Sequence, residues 1–206
     1  MTTTTEAPRR GRPGYDRDGM LAVIVAAFND HGYDATSLGI IAQRLGLSKS
    51  AVYHHFSSKE EMLELALEKA LGALEQVFDS PQATEGPADL RIRHVLRGAV
   101  RVACEQQPYL TLLLRLRGNT DAQRHAMERR RAFDQRLRRL FELARDEGAL
   151  REDMDPGVAE RLTFGLVNSL VEWYRPDGPM TPDELAKAVV AFVRSGLRVS
   201  ESRDYR

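Results

Sequence analysis

Apolar positions recur along almost the whole chain at helical spacing, and no stretch alternates as a strand would. Met20, Leu21, Ile24, Ala27 and Phe28 share one face of a helix predicted over 16–30, which His31-Gly32-Tyr33 stops. A short helix capped by Thr36 or Ser37 is predicted to end near Leu45. Gly46-Leu47-Ser48 turns the chain into a second short helix reaching His55. Ser58-Lys59-Glu60-Glu61 has capping-box form and opens a long helix carrying Leu63, Leu67, Ala70, Leu74 and Phe78.

The polar, Pro- and Gly-containing run 81–87 reads as a break and a seam. Beyond it five helices are predicted, over 88–105, 108–116, 121–147, 155–174 and 181–199. Asp155-Pro156 and Thr181-Pro182-Asp183-Glu184 punctuate the last two starts. The pattern predicts an all-α chain of nine helices. It divides into a flexible basic arm (1–13), a three-helix DNA-reading domain (14–60) and a larger helical domain (61–206).

Composition narrows the function classes. The 206 residues are 42% hydrophobic, enough for a core, and carry zero formal net charge, so charge for binding nucleic acid must be local. One cysteine allows no intrachain disulfide and suits a reducing cytoplasm. Five scattered histidines give no metal-ligand spacing, so no metal and no cofactor are expected. The Thr-rich start lacks a signal peptide's apolar core, and no apolar run is long enough to span a membrane. There is no Gly-rich phosphate loop or nucleophile elbow, and nothing pairs Glu105 or His94 with a nucleophile, so no enzyme is expected.

The segment 37–56, SLGIIAQRLGLSKSAVYHHF, carries the chemistry. Ile40, Ile41, Ala42 and Leu45 supply a buried face, Gly46 a left-handed turn, and Val52 and Phe56 pin the second short helix. Ser48, Lys49, Ser50, Ala51, Tyr53, His54 and His55 remain for the outside. Small residues let such a helix sink into a major groove. Hydroxyls, Lys49, Tyr53 and His54 suit phosphates and base edges, and Ala51 suits a thymine methyl. Lys59, at the next helix start, suits a phosphate.

The run from Ala27 to Leu63 resembles the DNA-binding domain of the TetR family. Ala27-Phe28, Gly32-Tyr33 and Thr36-Ser37 match its first-helix ending. Ile41-Ala42, Leu45-Gly46-Leu47-Ser48, Val52-Tyr53, His55-Phe56, Ser58-Lys59-Glu60 and Leu63 match the continuation. The resemblance implies a homodimer on a pseudo-palindromic operator, with recognition helices about 34–36 Å apart. It implies Thr36, Ser37, Ser48, Lys49, Ser50, Ala51, Tyr53, His54 and Lys59 as contacts. Arg10 and Arg12, within an AT-hook-like Arg10-Gly11-Arg12-Pro13, are further candidates for the minor groove, a solvated tail being the alternative.

By the same resemblance the C-terminal helices hold an effector and dimerise. The predicted dimer faces are Val158, Leu162, Gly165, Leu166, Ser169 and Leu170 on one helix, and Leu185, Val189, Phe192, Val193, Gly196 and Leu197 on the other. Candidate effector-lining residues are Val102, Tyr109, Leu113, Phe133, Leu137, Phe141, Phe164, Asn168 and Trp173. Arg129, Arg130, Arg131, Arg136, Arg138 and Arg139 read either as a salt-bridged solvated face or as a site for coenzyme A phosphates. Trp173-Tyr174-Arg175-Pro176-Asp177-Gly178-Pro179-Met180-Thr181 resembles a junction in TetR-type regulators of lipid, steroid and aromatic-acid catabolism. An acyl-CoA is therefore the expected effector. A multidrug-type sensor and a repressor without an inducer are the alternatives.

Overall fold

The computed structural model describes residues 16–197. They form ten helices, α1 (Arg17–His31), α2 (Leu38–Leu45), α3 (Lys49–His55), α4 (Lys59–Asp79), α5 (Pro81–Thr84), α6 (Ala88–Glu105), α7 (Gln107–Leu114), α8 (Asp121–Asp146), α9 (Pro156–Trp173) and α10 (Pro182–Leu197). The tenth is α5. It occupies the 81–87 stretch expected as a break, because Ser80 precedes a first-turn proline whose missing N–H costs a helix start nothing. Arg10 and Arg12 lie outside the described residues, as does the predicted extension of the last helix to 199.

Contacts divide the chain into two units, residues up to Ser57 and residues from Ser58 on. In the first, α1 packs on α2 and α2 on α3. Met20, Ile24, Phe28, Ile41, Val52 and Phe56 are its sealed core, while Ile40 is only half-buried. Arg44 ties the helices together at the rim, with its guanidinium 2.6 Å from Asp30 and 3.1 Å from His31 Nε2.

In the second unit α6 is the hub, touching α4, α5, α7, α8, α9 and α10. Where it crosses α4 the backbones come so close that a Cβ on Gly98 would lie 2.4 Å from Val77 Cγ1. Rings of Phe78, Phe133 and Phe164 run from α4 through α8 to α9, with centroids 4.7 and 5.0 Å apart. Polar side chains fasten the connections. The buried Gln123 accepts from the Gly118 and Asn119 amides at 2.9 and 3.1 Å, fixing the loop before α8. Gln107 Nε2 donates to the Val171 and Tyr174 carbonyls, closing the end of α9.

Candidate nucleic-acid interface

Three local devices shape the reading head. Ser37 caps α2, accepting from the Ile40 amide at 3.3 Å, and Ser48 caps α3, accepting from the Ala51 amide at 3.2 Å. Between them Gly46 takes φ 68°, ψ 30°, a left-handed conformation that a side chain would resist. Val52 and Phe56 turn inward and are almost completely buried. Seven residues of helix with such an anchor have only one way to face. Ser48, Lys49, Ser50, Tyr53 and His54 are therefore exposed, and Ala51 is half-buried.

Among these, Tyr53 is the large apolar surface, with 53% of its area open. The Ser48 and Ser50 hydroxyls lie 3.1 Å apart, and His54 meets His55 edge-on at 5.6 Å. The row offers hydroxyls, one ammonium, a phenol and an imidazole with no carboxylate among them, a surface suited to phosphates and base edges. Ser37 and Ser48 are exposed but already accept a backbone hydrogen bond each, so their hydroxyls are left to act as donors. Lys59 is half-buried in the first turn of α4, in the second unit.

Among the expected DNA contacts, Thr36 is corrected. It is wholly buried, and its hydroxyl donates to the Gly32 carbonyl at 2.7 Å and toward that of Ala27 at 3.3 Å. Its side chain locks the turn between α1 and α2 and presents nothing to DNA. Ser37 alone is the cap.

The expected effector wall divides. Val102, Leu113, Phe133, Leu137, Phe141 and Phe164 are buried core side chains, and Tyr109 and Asn168 are half-buried. Trp173 is corrected outright. It stands 53% exposed on α9, its indole N–H donating to Ser169 Oγ at 3.3 Å. The arginine run takes the salt-bridged form at three positions. Arg129 spans Glu68 and Glu75, each at 2.6 Å, and the two carboxylates hold its guanidinium still more firmly charged. Arg136 pairs with Asp79 at 2.7 Å while stacking on Phe78, and Arg138 pairs with Glu142.

The expected dimer faces also divide. Val158, Leu162 and Phe192 are exposed, and a Cβ on Gly165 or Gly196 would meet nothing within 4 Å. Leu170, Leu185, Val189 and Val193 instead fill the subunit's own core, which corrects their assignment to an intersubunit face. Leu166 is half-buried and Ser169 exposed, while Leu197 closes the wall of a cavity within the unit.

A short capped helix bearing a donor-rich, acid-free row, pinned across a glycine turn to a second helix, defines a helix-turn-helix DNA-binding regulator. The family model "Bacterial regulatory proteins, tetR family" matches residues 20–66. The model "Tetracyclin repressor-like, C-terminal domain" matches residues 85–197. The chain belongs to the TetR family and is built as that family's helix-turn-helix transcriptional repressors are.

Among its relatives is the HTH-type transcriptional repressor KstR2 of Mycobacterium tuberculosis H37Rv, 26% identical over 91% of this chain and 95% of that protein. The HTH-type transcriptional activator FasR of Mycolicibacterium smegmatis is 30% identical over 92% of this chain and 87% of its own length. Among solved structures, SCO3833, a TetR-family regulator from Streptomyces coelicolor A3, superimposes with TM-score 0.82. It is 41% identical, with 96% of each chain covered.

Proposed function

We propose that this chain is an operator-binding repressor that acts as a homodimer in the cytoplasm and leaves DNA when a small effector binds its C-terminal unit. The observation that carries the DNA-reading assignment is the outward row of Lys49, Ser50, Tyr53 and His54 on a helix whose other face is sealed by Val52. Ser37, Ser48 and Ala51 flank that row, and Lys59 adds a phosphate contact at the start of α4. Arg10 and Arg12 are assigned to the adjoining minor groove.

Dimerisation is assigned to the exposed faces of α9 and α10. Val158, Leu162, Trp173 and Phe192 are large apolar side chains left in water by the single subunit, and burying them against a second copy is favourable in proportion to their area. The open sides of Gly165 and Gly196 let backbones approach there.

The effector is assigned to the acyl-CoA class, on the likeness of the 173–181 junction to that of catabolic regulators. With Arg129, Arg136 and Arg138 paired internally, recognition of the nucleotide phosphates falls to Arg130, Arg131 and Arg139. An effector shifts operator affinity only by as much as it prefers the non-binding state.

Fluorescence anisotropy on the chain's own upstream intergenic DNA tests both steps. Tight binding that collapses with one acyl-CoA, and not with free coenzyme A, is the expected result. Binding indifferent to every thioester retains the repressor and overturns the effector class. An apolar drug that releases the DNA instead identifies a multidrug-type sensor.

A further inference from the structure

Between the first half of α6, the end of α8 with the turn at Gly148, and the last turns of α10 lies a cavity of about 330 Å³. Its walls are aliphatic and aromatic, with Leu96, Phe141 and Val193 prominent. Arg93, half-buried on α6, and Arg194, exposed on α10, line its rim. Among the described residues neither guanidinium has an ion pair or hydrogen bond. The Nε of Arg93 is also sealed from solvent without an acceptor. A buried guanidinium N–H with no partner is rare, and its desolvation goes uncompensated until an acceptor arrives.

We propose that this cavity binds a small aliphatic monocarboxylate, its carboxylate on Arg93 with Arg194 alongside and its hydrocarbon body against Leu96, Phe141 and Val193. The guanidinium fork matches a carboxylate in size and plane. The volume stands at the low end of ligand pockets, which run from about 300 to 1,000 Å³, and so suits a small ligand. Asp89, one turn before Arg93 in the same wall, disfavours a second negative charge and so favours a carboxylate over a phosphate dianion. The site is independent of the operator and acyl-CoA assignments, and its failure leaves both standing.

Calorimetric titration of the full chain with octanoate, 1-octanol and octylamine, paired with thermal melts, tests the assignment. Octanoate is expected to bind and raise the melting temperature, with 1-octanol at least tenfold weaker and octylamine weaker still. Arg93→Met, verified as folded by circular dichroism, is expected to lose at least tenfold in octanoate affinity and to bind octanoate and octanol alike. Equal binding of octanoate and octanol by the unsubstituted chain, or no binding of either, overturns the proposal whether or not the variant folds. So does undiminished octanoate binding by folded Arg93→Met.

Discussion

The Thr36 hydroxyl donates to the Gly32 carbonyl at 2.7 Å, tying the residue before the α2 cap to the glycine that ends α1. Gly32 has φ 80°, so the chain leaves α1 in a conformation that only glycine adopts without strain, and Thr36 clamps the loop that follows. Both carbonyls that Thr36 serves lie in or beside the last turn of α1. The two stretches flanking the turn are thereby held in register.

Thr36→Val keeps the shape and removes the donor. The Gly32 carbonyl still receives the Thr36 backbone amide at 3.1 Å, so the loss is one hydrogen bond and not an orphaned acceptor. The expected cost is about 1 kcal/mol, read by urea unfolding. Operator affinity of the folded variant should change little. A large loss of affinity with no loss of stability would instead place Thr36 against DNA.

Lys49→Ala and Tyr53→Ala carry the opposite expectation. Both side chains are exposed, so helical circular dichroism and melting should stay near those of the unsubstituted chain. Operator binding should weaken in both. For Lys49→Ala the dependence of log affinity on log salt should flatten by about 1 for each phosphate left without its ammonium partner, hence about 2 for a dimer. An unchanged slope would remove Lys49 from the interface.

Much of this architecture could be read locally. Ser37, Ser48, Ser58, Asp155 and Thr181 each accept from the amide three residues on, because a cap needs only its own turn. The choice between Thr36 and Ser37 could not. Two adjacent hydroxyls look alike in sequence, and which one turns inward depends on where Ala27 and Gly32 end up. The salt-bridged reading of the α8 arginines holds at Arg129, Arg136 and Arg138, but of their partners only Glu142, one turn from Arg138, lies within a local pattern. The carboxylates that pair Arg129 lie 61 and 54 residues away on α4, beyond any local pattern. Trp173 misled because α9 is apolar on two sides, one buried in its subunit and one open, and spacing alone does not tell them apart.

Gly98→Ala tests the tight crossing of α6 on α4. The added methyl would fall 2.4 Å from Val77 Cγ1 and 2.6 Å from Cγ2, on a β-branched side chain with little freedom to move. Helix propensity favours alanine by about 1 kcal/mol, yet overpacking of a tight crossing costs typically about 1–3 kcal/mol, and the clash should win. Val77→Ala in the same chain should recover part of the loss. Measured together, the pair should be strongly non-additive.

Glu160 on α9 is buried, and burial together with the charge of Asp134 on α8 pushes its carboxyl above the ordinary range, against the pull of Arg161 and Arg138. Asp134 is raised as well, chiefly by burial, with Arg130 opposing. A carboxyl with a raised folded pKa holds its proton more tightly folded than unfolded. Stability should therefore fall as pH rises from the ordinary carboxylate value through the raised one, and level off above it. Glu160→Gln removes the penalty, so its stability relative to the unsubstituted chain should be higher at about pH 7.5 than at about pH 4. A difference identical at both values would show that packing, and not charge, separates the two chains.

Phe192 on α10 is 69% exposed and Leu162 on α9 is 64% exposed, so neither contributes much to holding one subunit together. If both lie at a two-fold interface, each is buried twice, once in each copy. Phe192→Glu or Leu162→Arg then leaves a charge desolvated on both sides of the interface, a cost of several kcal/mol against a dimer. Light scattering should report a folded monomer with the helical content of the unsubstituted chain. Operator binding should fall far more than it does in Lys49→Ala, because a monomer forfeits the second half-site and with it the effective concentration that links the two. A variant that remains dimeric and binds its operator undiminished would place the interface elsewhere on the subunit.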